Sequence, residues 1–235
     1  MCSENSATLL GCYANDDICM RDIGLTAGTR RHWLKAALAC AAAGTLPVQA
    51  GGQLEEPLAD SVRSALSAAV SDLAPPEPIF TSTEARIAYL RWLTTMSDRL
   101  QRRKPDWEVR RDFLQTVWYE SKRAGLDVSL VLGLIQVESG FRKFAISVAG
   151  ARGYMQIMPF WTRVIGDGDA GKLFHMQTNL RFGCVILRHY LEREQGDLFM
   201  ALGRYNGSRG KDSYPNLVLG AQKQWLWEAS AHSAT

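Results

Sequence analysis

The segment that most restricts the possible folds is residues 128–138, a predicted helix that is apolar almost all round. Its apolar members are Val128, Leu130, Val131, Leu132, Leu134, Ile135 and Val137. Asp127 precedes them and is a favourable N-terminal cap. A helix without a polar face is stable only when other elements surround it. The chain must therefore supply several further elements that pack around this helix.

The segments around this helix carry helical signals as well. Thr81 and Glu84 have the spacing of a capping box, which predicts a helix start. The apolar stripe that follows consists of Ile87, Leu90, Leu93 and Leu100, with Trp92 beside it. Pro105 is a favourable first residue for the next helix, and Gly125 for the position just after its end. Because no segment alternates with a period of two, the sequence predicts a mainly α fold.

The first 50 residues have the features of an export signal that is removed by cleavage. Arg30 and Arg31 precede a short apolar stretch at residues 36–43, and small residues follow up to Ala50. The arginine pair resembles the twin-arginine signal, which exports proteins that have already folded. A general secretory signal with an incidental arginine pair is the alternative.

Cleavage after Ala50 changes what the composition implies. Four of the five cysteines lie before residue 51, so the mature chain keeps Cys184 alone and forms no internal disulfide. The net charge of +3 is the same after cleavage and too small to indicate a nucleic-acid partner. The apolar stretch is too short for a stable membrane span in the mature chain. A lipoprotein anchor at Cys40 fits less well, because very few apolar residues precede it.

Glu138 ends the apolar helix and is followed by a helix stop at Ser139 and Gly140. A carboxylate at the end of a core helix is costly unless it is hydrogen-bonded or protonated. Burial raises a carboxyl pKa, which is what a general acid needs in order to hold its proton near neutral pH. A solvated helix terminus is the alternative interpretation of Glu138.

Two later segments have chemical features of their own. Residues 147–159 combine glycines with Gln156, whose amide both donates and accepts, and with two methionines that suit an apolar ligand face. Tyr205 and Asn206 then leave a helix side by side. Each segment alone is equally typical of a glycine-rich loop, a pair of core methionines or a helix end.

Taken together and in this order, the segments resemble the catalytic domain of the soluble lytic transglycosylases, which have a lysozyme-like fold and cleave peptidoglycan. The matching residues are Glu138-Ser139, Gly153-Tyr154-Met155-Gln156 with Met158-Pro159, Asn179 to Gly183, and Tyr205-Asn206. Tyr154 departs from the usual Leu, and Arg204 stands where a small residue commonly precedes Tyr205. Both departures are expected to line the substrate groove.

The resemblance divides the chain into five parts. These are an export signal with its leader (residues 1–50), a linker or arm (51–80), an N-terminal helical extension (81–112), the catalytic domain (113–221) and a C-terminal tail (222–235). The arm contains only a short amphipathic piece near residues 58–73. An exported enzyme of this family acts in the periplasm of a Gram-negative bacterium.

The resemblance also implies a mechanism with one carboxyl group and no cofactor or metal. Glu138 would act as acid and then base on the bond between N-acetylmuramic acid and N-acetylglucosamine, leaving a 1,6-anhydro sugar. Ser147 would hydrogen-bond Glu138 or the substrate's acetamido group. The remaining binding residues would be Gln156, Tyr205 and Asn206 for the sugar, and Met155 or Met158 for its apolar wall. The partners would be peptidoglycan glycan strands.

Other functions are compatible with the same sequence. A hydrolytic lysozyme on the same fold needs a second carboxylate, for which the candidates are Asp167, Asp169 and Asp212. A non-catalytic peptidoglycan-binding or assembly protein would keep the groove without the chemistry. The sequence from Asp167 to Asp169 also suggests calcium, but the twelve-residue loop pattern is not completed.

A group of cations precedes the catalytic domain. Its members are Arg99, Arg102, Arg103, Lys104, Arg110 and Arg111, partly offset by neighbouring acidic residues. Two solvated helix faces are the favoured interpretation, and attraction to an anionic cell-wall polymer is the alternative.

Overall fold

A computed structural model describes residues 52–71 and 78–228. All of them belong to one compact unit, Val48–Thr235. The predicted export signal and the Cys40 anchor lie outside the described residues. Among the helices that are described, none combines the length and the apolar character that crossing a membrane requires.

The described part of the chain is built from α-helices. They are α1 (Asp60–Ser71), α2 (Thr83–Leu100), α3 (Trp107–Arg123), α4 (Val128–Ser139), α5 (Phe160–Ile165), α6 (Met176–Arg193), α7 (Leu198–Asn206) and α8 (Ser213–Gln222). Short 3-10 helices span Ala170–Phe174 and Lys223–Trp225. The β-pairing recorded for these residues consists of two isolated bridges that join Arg152 to Ile146 and Ile157. The predicted mainly α fold is confirmed.

Helix α4 is the central element, as its apolar sequence predicts. Its first eight residues are all buried, and α3, α8 and the Lys223–Trp225 turn pack around it. The Asp127 side chain caps the helix by accepting from the backbone N–H of Ser129 and Leu130. Gly140 ends it in the left-handed conformation with φ of 57°. Glu138 is thereby fixed in the last turn of a helix that cannot shift.

Gly133 lets α8 approach the backbone of α4. A Cβ added at Gly133 would lie 2.7 Å from the backbone nitrogen and 2.9 Å from the Cα of Gln222, and 3.1 Å from the carbonyl oxygen of Val218. These atoms belong to the backbone of α8, so they cannot move aside without moving the helix. The glycine in the middle of the apolar helix therefore sets the distance between α4 and α8.

A buried ion pair joins α3 to α6. Arg181 donates to both carboxylate oxygens of Glu120, the shortest N–O distance being 2.8 Å, and both side chains are 1% exposed. Two charges this far from water are tolerated because each neutralises and hydrogen-bonds the other. No spacing in the sequence predicts this pair.

Helix α2 begins one residue later than the capping-box spacing indicates. Ser82, not Thr81, is the cap, and its hydroxyl accepts from the N–H of Ala85. The predicted stripe is also partly wrong, because Ile87 and Leu90 are exposed. The buried stripe consists of Tyr89, Trp92, Leu93, Met96 and Leu100. It shares Leu93 and Leu100 with the predicted stripe.

The two flanking segments are more ordered than a linker and a tail. Asp60–Ser71 forms a helix that packs against α5 and α6, with Val70 buried. Beyond residue 221, Trp225 is 2% exposed and its indole N–H donates to the Gln136 side chain at 2.9 Å. Alanine-rich and aromatic segments of this kind are held by tertiary contacts, which composition does not reveal.

Two members of the predicted basic face are buried, so the interpretation of solvated helix faces is wrong for them. Arg110 donates to the Ser97 hydroxyl and to the backbone oxygens of Lys104 and Pro105, which closes the turn between α2 and α3. The Lys104 ammonium donates to the Tyr154 hydroxyl at 2.7 Å.

Replacing Gly133 by Ala is expected to force α4 and α8 apart. We predict a loss of about 1–3 kcal/mol in the free energy of unfolding, measured by urea denaturation, because a methyl group has no space there. Gly220→Ala on α8 is the matched control, since a Cβ at Gly220 meets nothing within 4 Å. That variant is expected to be as stable as the parent or slightly more stable. Equal losses in both variants would contradict this account of the helix contact.

Candidate active site

The carboxyl group of Glu138 lies at the buried junction of α4 and α8. Glu138 is only 5% exposed. The Tyr214 hydroxyl donates to Oε1 of Glu138 at 2.5 Å. Its other oxygen, Oε2, is buried and has no hydrogen-bond partner among the described residues. One oxygen is therefore held in place, and the other is available to a further group.

Burial raises the pKa of Glu138 to about 8, and the hydrogen bond from Tyr214 opposes part of the rise. Burial also raises the pKa of Tyr214 well above its usual value, so its hydroxyl stays protonated and acts as the donor. With a pKa near 8, Glu138 carries a proton at neutral pH. A protonated carboxyl group that can also ionise is suited to general acid and base chemistry.

Asn179 on α6 fixes the loop of residues 152–157, whose Tyr154 carbonyl oxygen accepts from the hydroxyl of Ser139. The Oδ1 of Asn179 accepts from the N–H of Met155, and its Nδ2 donates to the carbonyl oxygens of Arg152 and Leu173. Gly153 lies against this amide with φ of 76°, where a Cβ would come within 2.4 Å of Nδ2. The amide thus completes hydrogen bonds that the irregular loop backbone could not make internally.

Two of the predicted binding residues support the same loop from within. The Gln156 side chain is buried and donates to the carbonyl oxygens of Ala145 and Gly153, while its backbone has φ of 49°. The Ser147 hydroxyl accepts from the N–H of Ala151 at 3.1 Å. In this structure both side chains bond to the loop itself, and the contact predicted between Ser147 and Glu138 is not among the recorded hydrogen bonds of the described residues.

The side chains of Tyr205 and Met155 lie on the buried side of this loop. The Tyr205 hydroxyl is fully buried and donates to the backbone oxygen of Met155 at 2.8 Å. The Met155 side chain is 0% exposed and packs on Gly183 of α6, where an added Cβ would meet its sulfur at 2.3 Å. The structure therefore places the Met155 side chain in the core and not along an open apolar wall.

Met158 and Asn206 lie nearer the surface, and both contact residues that precede α1. Both are partly exposed. The Met158 N–H donates to Oε1 of Gln53 at 3.3 Å. Asn206 donates through Nδ2 to the Ser208 hydroxyl, and its Oδ1 is buried without a partner among the described residues.

The two departures from the family pattern have different positions. The expectation that Tyr154 lines the groove is wrong, because its ring is 2% exposed and packs against Phe113 and the Lys104 ammonium. Arg204 is partly buried and forms ion pairs with Glu56 at 2.8 Å and Glu194 at 2.7 Å. Its guanidinium is thus directed at the segment before α1.

The three candidates for a second carboxylate have other surroundings. Asp167 pairs with Lys172 and Asp169 caps the 3-10 helix Ala170–Phe174, both at exposed positions. Asp212 is exposed just before α8. Among the described residues, no cluster of three or more His, Cys, Asp or Glu side chains is arranged to hold a metal ion.

Residues 115–227 match the family model described as the transglycosylase SLT domain. The chain contains a transglycosylase SLT domain. This finding confirms the resemblance carried by the motifs from Glu138 to Asn206. The match ends beyond the predicted boundary at residue 221 and includes the buried Trp225, in agreement with the packing of that residue on α4.

Several curated proteins are similar to the SLT domain. A membrane-bound lytic murein transglycosylase C from Glaesserella parasuis is 51% identical over 53 residues, which are 22% of this chain and 15% of that protein. The protein of the same name from Actinobacillus pleuropneumoniae is 34% identical over 119 residues, covering 44% of this chain and 33% of that one. A transglycosylase of the phage PRD1 is 32% identical over 112 residues, covering 45% and 41%. The chain thus spans less than half the length of these relatives.

Among solved structures, an inactive mutant of the lytic transglycosylase Slt from Pseudomonas aeruginosa matches with a TM-score of 0.39 and 21% identity. The match covers 60% of this chain and 27% of that one.

Two residues of the site are not predicted by the sequence. Tyr214 lies 76 residues from the carboxyl group that it bonds and stands in no recognised spacing. Gln53 lies in a segment predicted to be a linker. Asn179 belongs to the motif Asn179 to Gly183 that carries the resemblance, but the motif does not predict its hydrogen bond with the N–H of Met155, 24 residues away.

Replacing Glu138 by Gln is expected to stabilise the SLT domain in a pH-dependent way. The pKa of Glu138 is about 8 in the folded chain and 4.5 in an ordinary glutamate. Between these values the unfolded chain is ionised while the folded chain keeps its proton, so the free energy of unfolding falls as pH rises. The amide of the Glu138→Gln variant does not ionise, so its burial costs the same free energy at every pH. The gain should be small near pH 4.5 and about 2–4 kcal/mol at pH 7, measured by urea unfolding.

Glu192→Gln is the matched control, because Glu192 forms an exposed ion pair with Arg188 on α6. It should change the unfolding free energy by less than about 1 kcal/mol. A gain for Glu138→Gln that is the same at pH 4.5 and pH 7 would contradict the raised pKa.

Proposed function

We propose that the chain is a peptidoglycan lytic transglycosylase with Glu138 as its single acid and base. The substrate is the β-1,4 bond between N-acetylmuramic acid and N-acetylglucosamine, and the product ends in a 1,6-anhydromuramoyl group. The observation that carries the proposal is the environment of the Glu138 carboxyl: it is buried, Tyr214 donates to one oxygen, and the other has no hydrogen-bond partner among the described residues. This burial raises the pKa of Glu138 to about 8. The SLT family match and the names of the relatives support the same substrate class.

In the first step Glu138 donates its proton to the glycosidic oxygen. The bond between that oxygen and the anomeric carbon of the muramic residue breaks, and the N-acetylglucosamine leaves with a hydroxyl group. The substrate's own acetamido oxygen stabilises the positive anomeric carbon. The hydrogen bond from Tyr214 favours the carboxylate that Glu138 has become, because a donor lowers the energy of the charged form.

In the second step the Glu138 carboxylate takes the proton of the muramic 6-hydroxyl as that oxygen attacks the anomeric carbon. The new bond closes the 1,6-anhydro ring, and Glu138 regains its proton. No water is consumed. Because the attacking hydroxyl belongs to the same sugar, proximity replaces the second carboxylate that most glycosidases use.

The predicted binding residues divide into two groups under this proposal. Asn206 and Met158 are at the surface of the site, and the unpartnered Oδ1 of Asn206 is an acceptor for a sugar hydroxyl or amide. Ser147, Gln156 and Tyr205 act through the loop and the backbone of Met155, whose positions they fix.

A hydrolytic lysozyme is the second candidate. It would need a carboxylate close to Glu138 to activate water or stabilise the intermediate. Asp167 and Asp169 are engaged in the turn before α6, and Asp212 is exposed just before α8. No carboxylate is among the causes that shift the pKa of Glu138, which favours the transglycosylase. A binding or assembly protein without catalysis gains no benefit from a buried carboxyl with a pKa near 8, which costs stability.

We further propose that the protein acts in the periplasm of a Gram-negative bacterium after export by the twin-arginine route. The arginine pair before the apolar stretch supports the export route. The names of the relatives describe membrane-bound enzymes for murein, which is consistent with a site of action at the cell wall.

The products released from purified sacculi test the proposed function. We expect muropeptides with anhydro ends, each lighter by one water than the hydrolysed form, when released material is examined by mass spectrometry. Glu138→Gln should release none, because the amide cannot donate and recover the proton, whereas the exposed control Glu192→Gln should release as much as the parent.

Reducing ends in place of anhydro ends would assign the protein as a lysozyme. Release by the parent that equals release by Glu138→Gln would remove Glu138 from the mechanism. An absence of release from the parent would favour the binding role.

A further inference from the structure

Residues 52–57, here called the strap, run over the site without forming a helix or strand. The exposure of their side chains is the reverse of what composition predicts: Gln53 is 4% exposed, whereas the neighbouring Leu54 is 64% exposed. A polar side chain turns inward in this way when specific hydrogen-bonding groups receive it. The strap therefore contacts this surface through defined polar interactions.

The Gln53 side chain enters the site between two of its motifs. Its Oε1 accepts from the backbone N–H of Met158, and its side chain also lies beside the Tyr205 hydroxyl. Its Nε2 is buried. A primary amide offers the same carbonyl acceptor and N–H donor as the acetamido group of an amino sugar.

The backbone of the strap also lies directly on the helix end that carries Asn206. A Cβ added at Gly52 would be 2.7 Å from the carbonyl oxygen of Asn206, and one added at Gly207 would be 1.8 Å from the carbonyl oxygen of Gly52. Both positions require glycine because the two backbones are in contact. The groups of Asn206 that would meet a sugar are consequently covered on this side.

An ionic cluster holds the far end of the strap. The Glu56 carboxylate pairs with Arg204 at 2.8 Å and also with Arg193, while Arg204 pairs with Glu194. Arg204 is 16% exposed and Glu194 is 7% exposed, while Glu56 is 30% exposed, so the contact between Glu56 and Arg204 is partly shielded from water. Shielded, hydrogen-bonded pairs of this kind are stronger than the pair of Glu55 and Arg163, which is exposed at 3.6 Å.

Resting on the proposed function, we infer that the strap occupies the glycan-binding groove and competes with the glycan strand for it. A general acid must reach the bond that it cleaves, yet Glu138 is 5% exposed and the surface formed by Met158 and Asn206 is occupied. The strap must be displaced before a strand binds. The measured affinity is therefore the affinity of the open groove multiplied by the fraction of chains in which the groove is open.

Binding of the full chain to purified sacculi tests this inference without depending on turnover. Glu138→Gln serves as the background, so that the polymer is not consumed. Adding Glu56→Gln or Gln53→Ala is expected to increase sacculus binding about three- to tenfold. Glu56→Gln weakens the charge-assisted contacts with Arg204 and Arg193, and Gln53→Ala removes the hydrogen bond with the N–H of Met158, so each variant destabilises the closed state. Arg204 keeps Glu194 as a partner in the Glu56 variant, and thermal unfolding checks that the fold is intact.

Asp112→Asn is the matched control. Asp112 forms an exposed pair with Arg111 on α3, and its replacement raises the net charge by one, as Glu56→Gln does. An increase in binding that Asp112→Asn reproduces, a decrease, or no change in the strap variants would overturn the inference. A decrease would show that the strap forms part of the groove instead.

Hydrogen exchange of the strap gives an independent reading. On adding peptide-free glycan strands to the Glu138→Gln chain, the amides of residues 53–56 are expected to exchange faster, because the strand displaces them. Slower or unchanged exchange would overturn the inference. If the parent releases no anhydro products while glycan still speeds exchange of the strap amides, the proposed chemistry is wrong. The inference that the strap occupies the groove then still holds.

Discussion

The burial of one carboxyl group organises this structure. Glu138 is attached to the end of a helix that is apolar on every side, so the helix cannot be buried without taking the carboxyl with it. The fold tolerates this because the group is protonated and because Tyr214 donates to one of its oxygens. Tyr214 belongs to α8, whose backbone approaches α4 closely at Gly133. The chemistry proposed for the site therefore depends on a packing detail located more than a helical turn away.

The features that were predictable from the sequence are those encoded locally. The apolar helix, its cap at Asp127 and the exceptional position of Glu138 follow from neighbouring residues. The bonds that shape the site join residues far apart in the chain, such as Asn179 with Met155 and Tyr214 with Glu138. A single sequence contains no record of such pairs, and a buried amide looks the same as an exposed one until the fold is known.

The segment before α1 illustrates the same limit in a different way. Its composition is typical of a linker, and a linker needs no partner. Its Gly52 instead meets the helix end at Asn206, and Gln53 accepts from the N–H of Met158. Glu56 pairs with Arg204, one of the two residues that depart from the family pattern. Arg204 and the segment before α1 therefore form one contact. Under the proposed function, this contact would give the enzyme a closed resting state.

The proposed chemistry depends most directly on the protonation of Glu138. Carbon-13 NMR of chains labelled at the glutamate carboxyl, with Glu138→Gln used to assign the signal, measures its pKa in the folded protein. A titration midpoint near 8 is the result that the buried site predicts. A midpoint near 4.5, the value of an ordinary glutamate, would contradict the assignment of Glu138 as an acid that holds its proton at neutral pH.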